Sequence, residues 1–209
     1  MPVVFDCDGV LVDSESLAWT AIAAAMQHFG VTVTETDRGN LVGHPFEYEY
    51  EYFSKTADLP PIESVGAAIS DEMFALFERH LEAFEDAKDT LEVLARRGVG
   101  LAVASTSART RLDVSLRATG LADFITVSVA GDEVLAVKPA PDLFLRAAEL
   151  LGVAPEMCTA VEDSPVGIAA AKAARMRVVA VDRGDFAPDE LSEADVLVPR
   201  LTPALFHGS

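Results

Sequence analysis

The sequence predicts an α/β fold, a doubly wound, Rossmann-like parallel sheet with a helical segment inserted after its first strand. Three observations carry this. From residue 86 onward, short apolar runs alternate with amphipathic helical segments, the grammar of successive β-α units. Several of the runs stop at acids or hydroxyls, and the carboxyl ends of strands are where open parallel sheets bind ligands. Between the first run and this alternation, residues 15–85 read as helix without a clear strand.

Taken in order, Val3-Val4-Phe5 is a run of the kind buried on both faces of a parallel sheet, and it ends at Asp6-Cys7-Asp8-Gly9. Gly9 lets the backbone turn tightly there. Asp13 and Ser14 can cap a helix over residues 15–29, with Leu17, Ile22, Met26 and Phe29 on its apolar face and Gly30 as its stop. Residues 41–45 read as a turn, and Phe46, Tyr50 and Phe53 recur at helical spacing. Pro60-Pro61 interrupts the pattern, and residues 62–84 form a second long amphipathic helix carrying Val65, Ile69, Phe74 and Phe77. The alternation that follows gives helices over 89–97, 109–119, 141–151 and 166–174, and strands over 100–104, 125–129, 158–161, 177–181 and 196–198. The implied division is an α/β core of residues 1–14 and 86–209 with a helical cap of residues 15–85.

Composition narrows the function. The chain has 209 residues, half of them hydrophobic, enough for one sizeable core and a modest insertion. Thirty-four acids against 16 bases give a net charge of -18, which argues against a sequence-independent nucleic-acid binder. An anionic ligand must then be held by local bases, amides or a metal. There is no apolar run of membrane-spanning length, and acids at positions 6 and 8 argue against a signal peptide. Cys7 and Cys158 read as reduced core cysteines of a cytoplasmic protein.

The first loop carries chemistry. In an extended chain Asp6 and Asp8 project to one side and Cys7 to the other, so two carboxylates face one small volume. Like charges that close call for a cation or a shared proton, and Mg2+ accepts carboxylates while keeping room for a phosphate. One carboxylate could then serve as nucleophile and the other as general acid/base, although an Asp-rich turn closed by its own hydrogen bond has the same residues. Three further signals fall at or beyond strand ends. Ser105 can bond a phosphate oxygen or cap the next helix; Lys138, before Pro139, can neutralise a phosphoryl group or simply be solvated. Glu162-Asp163-Ser164-Pro165 can complete a metal site, cap a helix, or do both.

The order Asp6-Cys7-Asp8-Gly9-Val10-Leu11-Val12-Asp13-Ser14-Glu15, Ser105, Lys138-Pro139, Glu162-Asp163 resembles the four motifs of the haloacid dehalogenase-like hydrolase superfamily, in its branch of β-phosphoglucomutase-like enzymes and sugar-phosphate phosphatases. The likeness covers nearly the whole chain and is weakest in the cap. It implies Asp6 as nucleophile forming an aspartyl-phosphate, Asp8 as general acid/base, and Ser105 and Lys138 holding the phosphoryl group. Thr106 and His44 are further candidate substrate contacts. It also implies Mg2+ bound by Asp6, the backbone carbonyl of Asp8 and Asp163, with Glu162 binding directly or through a neighbour. Dehalogenase members lack an acid at the Asp8 position, so the expected reaction is hydrolysis of small phosphorylated metabolites, with sugar phosphates the first class to consider. Family mutases carry a His and an Arg where this chain has Ala18 and Phe46, which counts against the hexose-phosphate mutase alternative. A non-catalytic phospholigand-binding protein would be expected to have lost Asp6, Asp8 or Lys138. A monomer is expected because the cap must move, with no nucleic-acid or membrane partner.

Overall fold

The computed structural model describes residues 1–41 and 46–206, the side chain of Glu15 excepted. Its strands are β1 (Val3–Phe5), β2 (Leu101–Ala104), β3 (Val127–Val129), β4 (Thr159–Glu162), β5 (Arg177–Val181) and β6 (Val196–Val198). They form one sheet in the order β3-β2-β1-β4-β5-β6, every pair parallel. From β1 the sheet grows through β2 and β3 on one side and through β4 to β6 on the other, which makes the β1 end a topological switch point. Phe5 is in register with Val103 on β2 and Val161 on β4. One step further on, Asp6 stands level with Glu162, and its amide donates to the Val161 carbonyl at 2.9 Å.

The sheet's centre is dry. Val3, Val4 and Phe5 are fully buried, each contributing about 1.5–3 kcal/mol of transfer free energy. On one face lie α7 (Asp142–Leu151) and α8 (Pro165–Ala173), whose Leu143, Phe144, Ile168, Ala170 and Ala171 pack on Val4, Ala102, Ala160 and Val178. Ala102, Ala160, Ala170 and Ala171 have short side chains, so helix and sheet approach closely. The core is completed by α5 (Glu85–Arg96) and α6 (Arg109–Ala118). Cys7 and Cys158 are buried free thiols, and among the described residues no helix is long and apolar enough to cross a membrane.

Between β1 and β2 the chain inserts α1 (Glu15–His28), α2 (Glu35–Leu41), α3 (Phe46–Ser54) and α4 (Ile62–His80). The molecule divides into one compact unit of Met1–Asp13 with Glu82–Ser209 and another of Ser14–Leu81. The inserted unit has its own core of Trp19, Ile22, Met26, Leu41, Phe53, Val65 and Ile69.

Most boundaries lie within two residues of the sequence expectation, β3 for instance beginning at Val127 rather than residue 125, and the larger differences fall in and beside the inserted unit. The second long helix stops at His80 rather than Phe84, because Leu81 is extended and Ala83 bridges Val12 in antiparallel fashion. Residues 82–84 are therefore paired backbone and not the last helical turn. α5 starts at Glu85, four residues earlier than expected. α2 has no counterpart in the sequence pattern: only Leu41 within it is buried, so it carries no apolar periodicity. It is held locally instead, with Asp37 accepting from the Thr34 amide at 2.8 Å and the Thr34 hydroxyl at 2.6 Å.

Candidate active site

The loop after β1 is a backbone-closed turn. Leu11 and Val12 amides donate to the Cys7 carbonyl at 2.9 and 3.1 Å, and the Gly9 amide donates to the Val12 carbonyl at 3.0 Å. Gly9 has φ +78°, and a Cβ there would lie 1.9 Å from Asp163 Oδ2. Both the conformation and the approach of Asp163 require glycine.

Around that turn three acids and one base converge. Asp6, Glu162 and Asp163 each offer a carboxylate oxygen within 4.8 Å of the others, and Asp8 is not a member of the group. Lys138 Nζ donates to Asp6 Oδ1 at 2.5 Å and pairs with Glu162 Oε1 at 2.5 Å, with Glu162 fully buried. Glu162 Oε2 also accepts from the Asp163 amide and the Ser164 hydroxyl, both at 3.2 Å. Ser164 caps α8 by accepting from the Gly167 amide at 3.1 Å, with Pro165 in the first turn. A Cβ on Gly167 would lie 2.0 Å from the Glu162 carboxyl, so the first turn of α8 has room only for glycine at this position.

Electrostatics follow from burial. Asp6 is pushed up to about 7, chiefly by burial, with Lys138 opposing and Glu162 and Asp8 adding to the rise. Burial, then Asp6 and Glu162, push Asp163 up to about 9. Burial works against the Lys138 ammonium, but the carboxylates of Asp6 and Glu162 more than offset it and raise its pKa. Three acids share one base, so all three can ionise together only with a further cation beside them, and the raised values of Asp6 and Asp163 reflect that shortage. An all-carboxylate oxygen set in that condition suits a hard divalent cation. The Cys7 thiol, raised by burial and by the charges of Asp8 and Asp6, stays neutral and protonated.

Asp8 has different partners. Its Oδ2 accepts from Ser107 Oγ at 2.9 Å and its Oδ1 pairs with Arg111 Nη2 at 3.0 Å. Ser105, buried at the end of β2, accepts from the Ser107 amide at 3.1 Å and so shapes the loop that presents Ser107. It does not cap α6, whose N-cap position is Ala108. Thr106 is exposed; its carbonyl would lie 2.2 Å from a Cβ on Gly131. His44 lies outside the described residues.

Sequence reasoning missed Ser107 and Arg111, although Ser107 is two residues from Ser105 and Arg111 lies in the first turn of α6. It also missed a buried pair behind the first loop. Arg183 Nη1 and Nη2 donate to the two carboxylate oxygens of Asp86, each at 3.0 Å, and the Leu201 amide donates to Asp86 Oδ2 at 2.7 Å. Burial works against the Asp86 carboxylate, but the bonds from Arg183 and the Leu201 amide hold its pKa below the usual value. A carboxyl depressed by folding stabilises the fold above its unfolded pKa of about 3.9, and that contribution is lost as pH falls through the lower folded value. In urea unfolding, the stability gap between parent and Asp86→Asn is expected to be level at neutral pH and to narrow below about pH 4. A gap that stays level through the acid range would contradict this ionic contribution.

Comparison with known proteins agrees with this geometry. The family model for haloacid dehalogenase-like hydrolases matches residues 3–181. The chain is 33% identical to the chloroplastic SUPPRESSOR OF QUENCHING 1 protein of Arabidopsis thaliana over 86% of its own length, a match spanning only 17% of that protein. It is 29% identical to a phosphorylated carbohydrates phosphatase of Thermotoga maritima, covering 82% of this chain and 80% of that one. A β-phosphoglucomutase of Mycobacterium bovis is 32% identical over 84% of this chain and 78% of its own. Among solved structures, CbbY of Rhodobacter sphaeroides with phosphate superposes with a TM-score of 0.80 at 28% identity, covering 95% of this chain and 93% of that one. A CbbY variant solved with xylulose-(1,5)bisphosphate gives a TM-score of 0.80 at 27% identity and the same coverage. The chain belongs to the haloacid dehalogenase-like hydrolases, in the branch of β-phosphoglucomutase, CbbY and the sugar-phosphate phosphatases.

Proposed function

We propose that the protein is a Mg2+-dependent phosphatase of small phosphorylated metabolites, with sugar phosphates as the leading class, acting through a phosphorylated Asp6. The observation that carries this is the pairing of Asp6 with Lys138 inside an acidic cluster, with a second, separately held carboxylate, Asp8, two residues on. A relative named as a phosphorylated carbohydrates phosphatase supports the substrate class.

In this reading Lys138 and the Ser105 loop bind the phosphoryl oxygens, and Lys138 opposes the rise that burial imposes on the Asp6 carboxyl. An Asp6 carboxylate oxygen attacks phosphorus in line with the leaving oxygen, and the P–O bond to the metabolite breaks as Asp8 donates a proton to that oxygen. Asp8, now a carboxylate, takes a proton from water. The water oxygen attacks the phosphorus of aspartyl-phosphate, releasing inorganic phosphate and regenerating Asp6. Ser107 and Arg111 hold the Asp8 carboxylate in place for both transfers. Asp6, Asp163, Glu162 and the Asp8 carbonyl would hold Mg2+, which when bound supplies positive charge that lets anionic nucleophile and phosphoryl group approach.

A mutase reading has support in the similarity to β-phosphoglucomutase. Against it, Phe46, at the position of the family's sugar-phosphate Arg, packs on the core of the inserted unit, with Gly66 making room for its ring. The test is phosphate release from a panel of phosphorylated metabolites with Mg2+ and with chelator, beside a coupled assay for isomerised sugar phosphate. Metal-dependent release is expected. Isomerisation without release would transfer the conclusion to the mutase, and silence in both assays from folded, Mg2+-loaded protein would remove it.

A further inference from the structure

Behind the first loop, Arg183 does more than pair with Asp86. Its Nε donates to the Gly9 carbonyl at 3.3 Å, and Nη2, besides its bond to Asp86, donates to the Val10 carbonyl at 3.0 Å. The guanidinium carbon lies 3.9 Å from the centre of the Phe84 ring, a stacked cation-π contact. Both side chains of the pair are nearly sealed from water, Arg183 at 11% and Asp86 at 7% exposure. The turn's own backbone bonds use the carbonyls of Cys7 and Val12, the Leu11 carbonyl accepts from the Phe84 amide, and among the described residues the Gly9 and Val10 carbonyls are served by Arg183.

These two carbonyls directly follow Asp8. Gly9 is the joint between them, and glycine is the residue that resists rotation least. An external hold on the far side of this joint determines how steadily the joint sits. The guanidinium fork meets two carbonyls and a bidentate carboxylate together, which an ammonium point charge cannot do.

We propose that Arg183, oriented by Asp86, is a positioning residue for Asp8: it anchors the Gly9–Val10 carbonyls and so sets where the Asp8 carboxylate stands against the leaving oxygen. This rests on the assignment of Asp8 as general acid/base made above. The consequence is selective. An alkyl leaving group, as in a sugar or glycerol phosphate, needs a proton from Asp8 as it departs, whereas an aryl leaving group such as p-nitrophenolate departs without one.

The test is single-turnover phosphorylation of the full chain with Mg2+, using a sugar phosphate and p-nitrophenyl phosphate, in the parent, Arg183→Lys and Asp86→Asn, with folding followed by circular dichroism. Arg183→Lys is expected to slow the sugar phosphate about 30-fold, the scale of a small misplacement of a catalytic group, and the aryl phosphate no more than about threefold, with KM nearly unchanged. Asp86→Asn should show the same selectivity at smaller amplitude, and it decides the matter if Arg183→Lys does not fold. Equal losses on both substrates, or no loss in a folded variant, would overturn the proposal. So would failure of both variants to fold, which would assign the pair to stability. A parent chain inactive on both substrates would overturn the phosphatase reading itself, and with it the catalytic role of the clamp.

Discussion

Asp6→Asn is expected to cut phosphate release by about 10⁴-fold or more, a barrier increase of about 5.5 kcal/mol, while leaving the fold intact. The carboxamide has the same shape as the carboxylate but cannot supply the oxyanion that attacks phosphorus. Its structural effects oppose one another. The bond from Lys138 at 2.5 Å loses its charge, but so does the repulsion that helps to push Asp163 up to about 9. The melting temperature should therefore move little. A variant within about tenfold of the parent rate, a barrier change of about 1.4 kcal/mol, would rule out Asp6 as nucleophile.

Lys138→Met is the second large effect, and it strikes stability and rate together. The Lys138 ammonium lies between Asp6 and Glu162, 2.5 Å from an oxygen of each, and its side chain is 6% exposed. Methionine fills much of the same volume without charge, leaving two buried carboxylates facing each other. Removing one partner of a buried ion pair typically costs about 3–5 kcal/mol, and that scale is expected here in denaturant unfolding. Turnover should fall about 10³-fold, since the phosphoryl group loses the cation that offsets its charge in the transition state. A variant as stable as the parent would show that Lys138 does not compensate the cluster. A stable, fully active one would remove it from the site.

The parallel sheet was legible because its central strands are mostly apolar runs and α5, α6 and α7 are followed by the left-handed glycines Gly98, Gly120 and Gly152. Val3 to Phe5 and Leu101 to Ala104 have the composition of strands buried on both faces, and both are fully buried. Asp6, Glu162 and Asp163 were found by their position after such runs, and parallel register alone brings Asp6 level with Glu162. What could not be read depends on side-chain reach or on pairing between distant segments. Arg111 reaches Asp8 across 103 residues of sequence and Arg183 reaches Asp86 across 97, and neither base carries a local pattern that marks it. The early end of α4 was hidden for a related reason. Leu81, Ala83 and Phe84 look helical in isolation, and the antiparallel bridge to Val12 is a long-range gain that local propensity does not contain. Asp37 and Thr34 were the one signal for α2, a polar cap with no apolar stripe behind it.

The most direct test of the central claim is to trap the intermediate. The enzyme is mixed with excess sugar phosphate and Mg2+, quenched in acid during turnover, reduced with borohydride and digested for mass spectrometry. An acyl phosphate at Asp6 is reduced to homoserine, so the account predicts that residue 6, and no other acid of the site, carries the change. Turnover of substrate with residue 6 unmodified, or with the change at Asp8 or Asp163 instead, would contradict it.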